Sequence, residues 1–229
     1  MSDSPIRDAA TKSIYERGLE EAARAGWAVI AGTIEGMCGF VDQSEHYSTT
    51  KARTTDNVIS ELRPTGSESA APRSLSKIHG SKALPLHTDG AHLPEPPKYV
   101  VLESGSEVTD DVSETFVARA NPLFTGRSER ADWSNGIFLV DGGAQNLFYA
   151  SAYSGHYVRF DPGCMTPADA RARRVCRLVR GTEPDYVHRW GDPGKLLILD
   201  NHHVLHGRAG ASDAPHRVLR RVLVSQETR

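Results

Sequence analysis

Long apolar runs are missing from this 229-residue sequence, and no stretch approaches the 18 or more residues that a membrane-spanning helix needs. Nothing therefore argues for insertion into a bilayer. The opening MSDSPIRDAATK lacks the apolar segment of a secretion signal, so a cytoplasmic location is expected. Cysteine is scarce: Cys38, Cys164 and Cys176 are odd in number and irregularly spaced, which suits reduced thiols and speaks against a disulfide framework or a zinc knuckle. Surplus charge is lacking too. A formal net charge of −2 and a pI near 6.6 provide no overall basic field, which disfavours nucleic acid and anionic membranes as partners. Lysine is rare, 6 residues against 21 arginines, a bias that genome composition explains without invoking function.

What is present suits one large domain spanning residues 1–229, long enough to bury a real core. Ser4 and Pro5 read as the cap and first position of an amphipathic helix over residues 5–25, stopped by Gly26. WAVIAG follows with strand character, and residues 41–73 are mostly polar, a long loop with a strand at 58–62 that is either a lid or disordered. From Ala83 onward short β-rich runs recur between turn residues: ALPLHTDG, KYVVLES, ETFVAR, GIFLVDGG, QNLFYA, HYVRF, KLLILD and RVLRRVLV. Many short strands with such punctuation predict a mainly β fold with flanking helices, a sandwich or jelly-roll barrel. One helix interrupts them at residues 168–180, with Ala168, Ala172, Val175 and Val179 on one stripe and Arg171, Arg174, Arg177 and Arg180 mostly away from it.

The chemistry concentrates in two places. LHTDGAH sets His87 and Asp89 two apart, and on an extended strand end both side chains point to one side. Far downstream, GDPGKLLILDNHHVLHGRAG runs from an apolar strand into Asp200, Asn201 and three histidines. Two imidazoles and one carboxylate on one face of an ion leave coordination positions open, the arrangement of non-haem Fe(II) oxygenases. An H-x-D pair by itself is a weak signal; one further ligand among His202, His203 and His206 would complete the set.

HTDGAH, Thr115 in SETFVAR, and DNHHVLHGR followed by HRVLRR together resemble the TauD/TfdA-type, clavaminate-synthase-like Fe(II)/2-oxoglutarate-dependent dioxygenases, over about residues 74–225. The resemblance implies a double-stranded β-helix, the jelly roll of cupin-like proteins. It implies His87, Asp89 and His206 as iron ligands, with His202 and His203 outside the coordination sphere. It further implies Arg217, eleven residues after His206, as the anchor of the distal carboxylate of 2-oxoglutarate, Thr115 as a hydroxyl donor to that same carboxylate, and Arg221 near the iron-bound end. Arginine suits the anchoring role through its planar pair of donors and permanent charge. On a strand, Arg217 and Arg221 share a face with Leu219, while Arg220 points the other way. The reaction implied is hydroxylation of an unactivated C–H bond of a small polar metabolite, an amino acid or natural-product intermediate, with Fe(II), 2-oxoglutarate and O2 as cofactors and succinate and CO2 as products. The carboxylate at Asp89 speaks against halogenation, which uses a vacancy at that position.

Substrate contacts are assigned to His92, at the mouth of the site, and to Arg159, facing an anionic group; each also has a structural reading, as a turn residue and as a partner of Asp161. The helix arginines read as a solvated face, or as an attractor of an acidic or phosphate-bearing partner, which keeps a nucleotide- or nucleic-acid-directed dioxygenase as a lesser alternative. A cupin-like protein that binds metal without turnover is the alternative from another class, and a zinc hydrolase using the same ligands is a third; the register of Arg217 favours the oxygenase. A homo-oligomer is compatible with the sequence, and the short chain suggests a trimmed lid or a partner subunit covering the site.

Overall fold

The computed structural model describes residues 13–63, 66–70, 74–105, 113–143, 146–211 and 218–227. Its strands, numbered in chain order, pair antiparallel throughout. The largest sheet is ordered β1 (Trp27–Ala31), β11 (Lys195–Asp200), β5 (Tyr99–Ser104), β13 (Leu219–Gln226) and β2 (Tyr47–Thr50), with β3 (Ser60–Leu62) also paired to β13. A second sheet is ordered β10 (Tyr186–His188), β6 (Thr115–Arg119), β12 (Val204–Arg208) and β4 (Leu84–His87). A small third sheet joins β8 (Leu147–Ala150), β7 (Phe138–Asp141) and β9 (Met165–Pro167).

Strand periodicity explains why KLLILD and YVVLES are apolar almost throughout: each strand is covered on both faces. Leu196, Ile198, Tyr99 and Val101 face one way, toward α1 (Ile14–Ala25) and α2 (Ile34–Asp42), and pack with Leu19, Ala22, Ile34 and Met37. Leu197, Leu199, Val100 and Leu102 face the other way, into the space between the two larger sheets, where they meet Val117, Val204 and Trp190. The far side of the second sheet offers Leu86, Ala118 and Leu205 to a third cluster, built with Trp133 of α4 (Arg127–Asn135), Phe138 and Val140 of β7, and Ala172, Val175 and Val179 of α5 (Ala170–Arg180). A short helix, α3 (Leu75–His79), precedes β4. Among the described residues no helix is long and apolar enough to cross a membrane.

Several sequence expectations shift. The first helix starts at Ile14, because the Ser13 hydroxyl accepts the Glu16 N–H and so caps it, instead of running from residue 5; residues 1–12 lie outside the described residues. Residues 41–73 do not form one loop, since they hold the end of α2 and both β2 and β3. HYVRF is no strand: the Val158 N–H goes to the His202 carbonyl and the Arg159 N–H to that of Ala152, leaving only an isolated Tyr153–Val158 bridge. The arginine face of α5 is exposed as expected, with Arg174 reaching across to Asp132 of α4 through two hydrogen bonds of 2.6 and 2.5 Å.

Candidate metal centre

β4 and β12 are neighbours, and His206 lies directly opposite His87, so the two imidazoles share the inner face with centroids 4.4 Å apart. Pairing shifts by one residue just beyond, between His206 and Arg208. Gly207 makes that shift sterically possible, since a Cβ there would lie 2.7 Å from the Leu84 carbonyl oxygen.

Past His87 the chain turns out of the sheet. The Thr88 N–H donates to the Phe160 carbonyl at 2.6 Å, and the Thr88 hydroxyl accepts from the Phe160 N–H at 3.2 Å. Gly90 has φ of 70°, and a Cβ at this position would meet Pro97 Cδ at 2.6 Å, so glycine is required on both counts. Between these points Asn201, fully buried, grips the backbone of Asp89: its Oδ1 accepts the Asp89 N–H at 3.0 Å, and its Nδ2 donates to the carbonyls of Asp89 and Pro97, each at 2.9 Å.

The result is a converged triad. Asp89 Oδ1 lies 3.6 Å from His87 Nε2, and Asp89 Oδ2 lies 3.8 Å from His206 Nε2. One ligand atom from each residue lies within 4.8 Å of the others, the single cluster of this kind among the described residues. All three side chains are nearly buried, at 8, 9 and 6 % exposure for His87, Asp89 and His206. The Pro85 carbonyl, 2.9 Å from His87 Nδ1, can only accept, so a hydrogen sits on Nδ1 and Nε2 is the nitrogen turned to the centre. Burial and the neighbouring His87 charge push the His206 pKa down to about 3, which keeps that imidazole neutral and able to ligate. Burial opposes charge on His87 and on Asp89, but their mutual attraction wins, raising the His87 pKa; Arg221 is the leading partner that draws Asp89 below the usual carboxylate range. These donors fit a cation. Two imidazole nitrogens and one carboxylate converge with no fourth ligand among the described residues, the set associated with a divalent iron that keeps positions open for exogenous ligands.

Arg221 projects from β13 between Leu219 and Leu223, and its Nη1 donates to Asp89 Oδ2 at 3.0 Å while its buried Nε has no partner among the described residues. Arg220 points to the opposite face, onto Glu103 at 2.9 Å and onto Glu35, as strand alternation requires. Thr115 is buried on β6, directly across from Arg208 on one side and His188 on the other. Its hydroxyl accepts from Trp190 Nε1 at 3.1 Å. Arg217 lies outside the described residues.

His202 and His203 stand apart from the centre. The His202 imidazole donates from Nε2 to the Pro96 carbonyl at 2.8 Å, while His203 Nδ1 and Lys98 Nζ converge on the buried Asp200 carboxylate at 2.9 and 2.7 Å. His92 Nε2 donates to the Ala52 carbonyl at 2.6 Å. Ala52 in turn packs against the cluster between the sheets, and residues 51–59 leave the sheet edge between two strands, β2 and β3, that flank Val222 on the same partner strand. Arg159 is buried, not surface-paired with Asp161: its guanidinium donates to the carbonyls of Ala91, Leu93 and Pro94 and to the Tyr157 hydroxyl, and it lies over the Phe148 ring. That side chain is committed to the protein. Sequence reasoning overlooked Asn201 and Trp190; the Asp-Asn pair before the histidines was the only visible signal for the first, and nothing marked the second.

No protein-family model matches the sequence, and no curated protein matches it either. Solved structures do match in fold. The non-heme iron oxygenase OrfP in complex with Fe and alpha-ketoglutaric acid superposes with a TM-score of 0.63 at 17 % identity, covering 95 % of this chain and 81 % of that one. OrfP with Fe, succinate and (3S)-hydroxy-L-Arg gives 0.65 at 18 %, covering 92 % and 80 %. Asparagine oxygenase with Fe(II), 2S,3S-3-hydroxyasparagine and succinate gives 0.62 at 18 %, covering 90 % and 77 %.

Proposed function

We propose that this chain is an Fe(II)- and 2-oxoglutarate-dependent oxygenase that hydroxylates an unactivated C–H bond of a small polar metabolite, of the amino-acid class. The observation that carries the reading is the cross-strand pair His87 and His206 with Asp89 between them and Arg221 on the carboxylate. Three solved structures of like fold bear iron with 2-oxoglutarate, or with succinate and a hydroxylated amino acid, which supports both the cofactor and the substrate class. In this reading the two larger sheets are the walls of a double-stranded β-helix in a single domain, with TauD/TfdA-type enzymes as its kin.

Each side chain then has a task. His87, Asp89 and His206 hold the ion, the Pro85 carbonyl fixing one imidazole and Asn201 fixing the backbone that carries the carboxylate. When bound, iron with the keto acid and O2 supplies the oxidising power that breaks the C–H bond, releasing succinate and CO2. Arg221 receives the carboxylate nearest the metal, with its Nε, which has no partner among the described residues, as spare donor. Thr115 and Arg217 take the distal carboxylate, the roles that the resemblance to the TauD/TfdA-type enzymes implies for them. His92 and Arg159 shape the mouth of the site indirectly: one holds residues 51–59, the other the turn after Asp89.

Protein purified without oxygen and given Fe(II), 2-oxoglutarate and O2 should form succinate, slowly even with no substrate and faster with the right amino acid. Absence of succinate with a full amino-acid panel, together with no visible-absorption change when 2-oxoglutarate meets the Fe(II) protein, would reject the proposal. Arg217→Ala separates it from a metal binder without turnover: it should weaken 2-oxoglutarate binding strongly and leave metal binding unchanged.

A further inference from the structure

Trp190 follows the short edge strand β10 and has no place in the assignments above. Its indole is buried among the apolar side chains between the two larger sheets, edge-on to His188 with centroids 4.3 Å apart. It bonds to one polar atom, Thr115 Oγ1, at 3.1 Å. An indole N–H can only donate, so the threonine oxygen is the acceptor. A hydroxyl has one hydrogen, and among the described residues Thr115 makes no second side-chain hydrogen bond. The hydrogen is therefore free to be given to something else.

Register says on which side that recipient lies. Val117 is opposite His206, and Thr115 is two residues before Val117 on the same strand, so Thr115 and His206 share a face. Thr115 lies one strand across and two residues along from His206, roughly 5 Å and 7 Å respectively. That offset suits the far end of a five-carbon diacid whose near end chelates the metal. We infer that Trp190 is a positioning residue for 2-oxoglutarate: by occupying the acceptor side of the Thr115 hydroxyl, it commits that hydroxyl to donate to the distal carboxylate. This rests on the oxygenase reading, and it adds a residue that never touches the cofactor.

The test uses the full chain loaded with Zn(II) as a diamagnetic stand-in for Fe(II), with 2-oxoglutarate and oxalate as probes; oxalate chelates the metal but is too short to reach Thr115. Trp190→Phe keeps the ring and removes the N–H. It should weaken 2-oxoglutarate between about 2- and 12-fold, the range of one net hydrogen bond, and leave oxalate unchanged. The weakening should vanish in a Thr115→Val background. If Trp190→Phe binds 2-oxoglutarate like the parent while Thr115→Val binds it worse, the inference is wrong and the oxygenase reading stands. If the parent protein binds neither probe, the oxygenase reading itself fails. Should Trp190→Phe not fold, the unmutated protein decides. With tryptophan labelled by nitrogen-15 there are three indole resonances, assigned by Trp27→Phe and Trp133→Phe; that of Trp190 should move on adding 2-oxoglutarate and stay put with oxalate. An unmoved Trp190 resonance overturns the inference.

Discussion

Asn201 shows how much of a candidate metal site can rest on a side chain outside the ligand set. Its amide satisfies three backbone groups around Asp89 and Pro97, and every one of them is buried. Asn201→Ala strands those groups, which at about 1–3 kcal/mol per buried unsatisfied group predicts a loss of at least about 3 kcal/mol in unfolding free energy. Metal affinity should fall as well, by about 10- to 100-fold, as for other groups that orient a ligand. Chemical denaturation and metal titration would report the two effects separately. The three histidines of the same segment sort by partner. His206→Ala should abolish iron binding, whereas His202→Ala and His203→Ala should retain it, because their rings are turned to Pro96 and Asp200. Iron bound per chain after desalting is the measurement, and dependence on His203 would mean a different register for β12.

At the scale of elements, two ionic contacts of similar geometry differ in weight because of burial. Arg174 and Asp132 tie α5 to α4, but the arginine side chain is 44 % exposed, so the pair contributes little in water. Asp200, at the end of β11, is fully buried beneath Lys98 and His203. Removing Lys98 leaves that carboxylate without its main partner, a loss of about 3–5 kcal/mol and nearer the low end because His203 remains. Burial alone would raise the Asp200 pKa, but His203 and Lys98 hold it below the ordinary carboxylate value. Its stabilising contribution is therefore complete above about pH 4 and disappears as the pH falls toward the depressed folded value. An acid titration followed by circular dichroism should accordingly show Lys98→Ala unfolding at a higher pH than the parent. A lighter contact bears on residues 51–59, where the His92 imidazole donates to the Ala52 carbonyl. His92→Ala should speed tryptic cleavage after Lys51 and Arg53 without shifting the main melting transition, as read by mass spectrometry of the fragments.

At the scale of the whole molecule, the proposed metal ligands bridge segments more than 110 positions apart, on two strands that are neighbours only after the second sheet has formed. A cation bound to the native state alone stabilises it by mass action, about 2.7 kcal/mol at a hundredfold excess over the dissociation constant. The melting temperature should therefore rise with added Fe(II) under anaerobic conditions and fall back with chelator. His206→Ala should remove that dependence.

Residue type and spacing alone determined the mainly β character, the strand around every β-rich run but HYVRF, the α5 stripe, and His87 and Asp89 with one of His202, His203 and His206 as candidates, because period-two patterns and the H-x-D pair are local; the family resemblance singled out His206. The same alternation set Arg220 and Arg221 on opposite faces, as observed. Tertiary structure alone decided the rest. RSERADWSN carries no regular apolar stripe, yet it is helical as α4 because Trp133 is buried against its neighbours and Asp132 is paired with Arg174. HYVRF alternates like a strand, yet its hydrogen bonds are drawn to Ala152 and His202 in loops. Arg159 is turned inward to three carbonyls, and Trp190 onto Thr115, by chain segments 65 to 75 positions away. Local patterns specify which face a side chain takes on its own element. What stands opposite that face depends on long-range pairing, which no local pattern encodes.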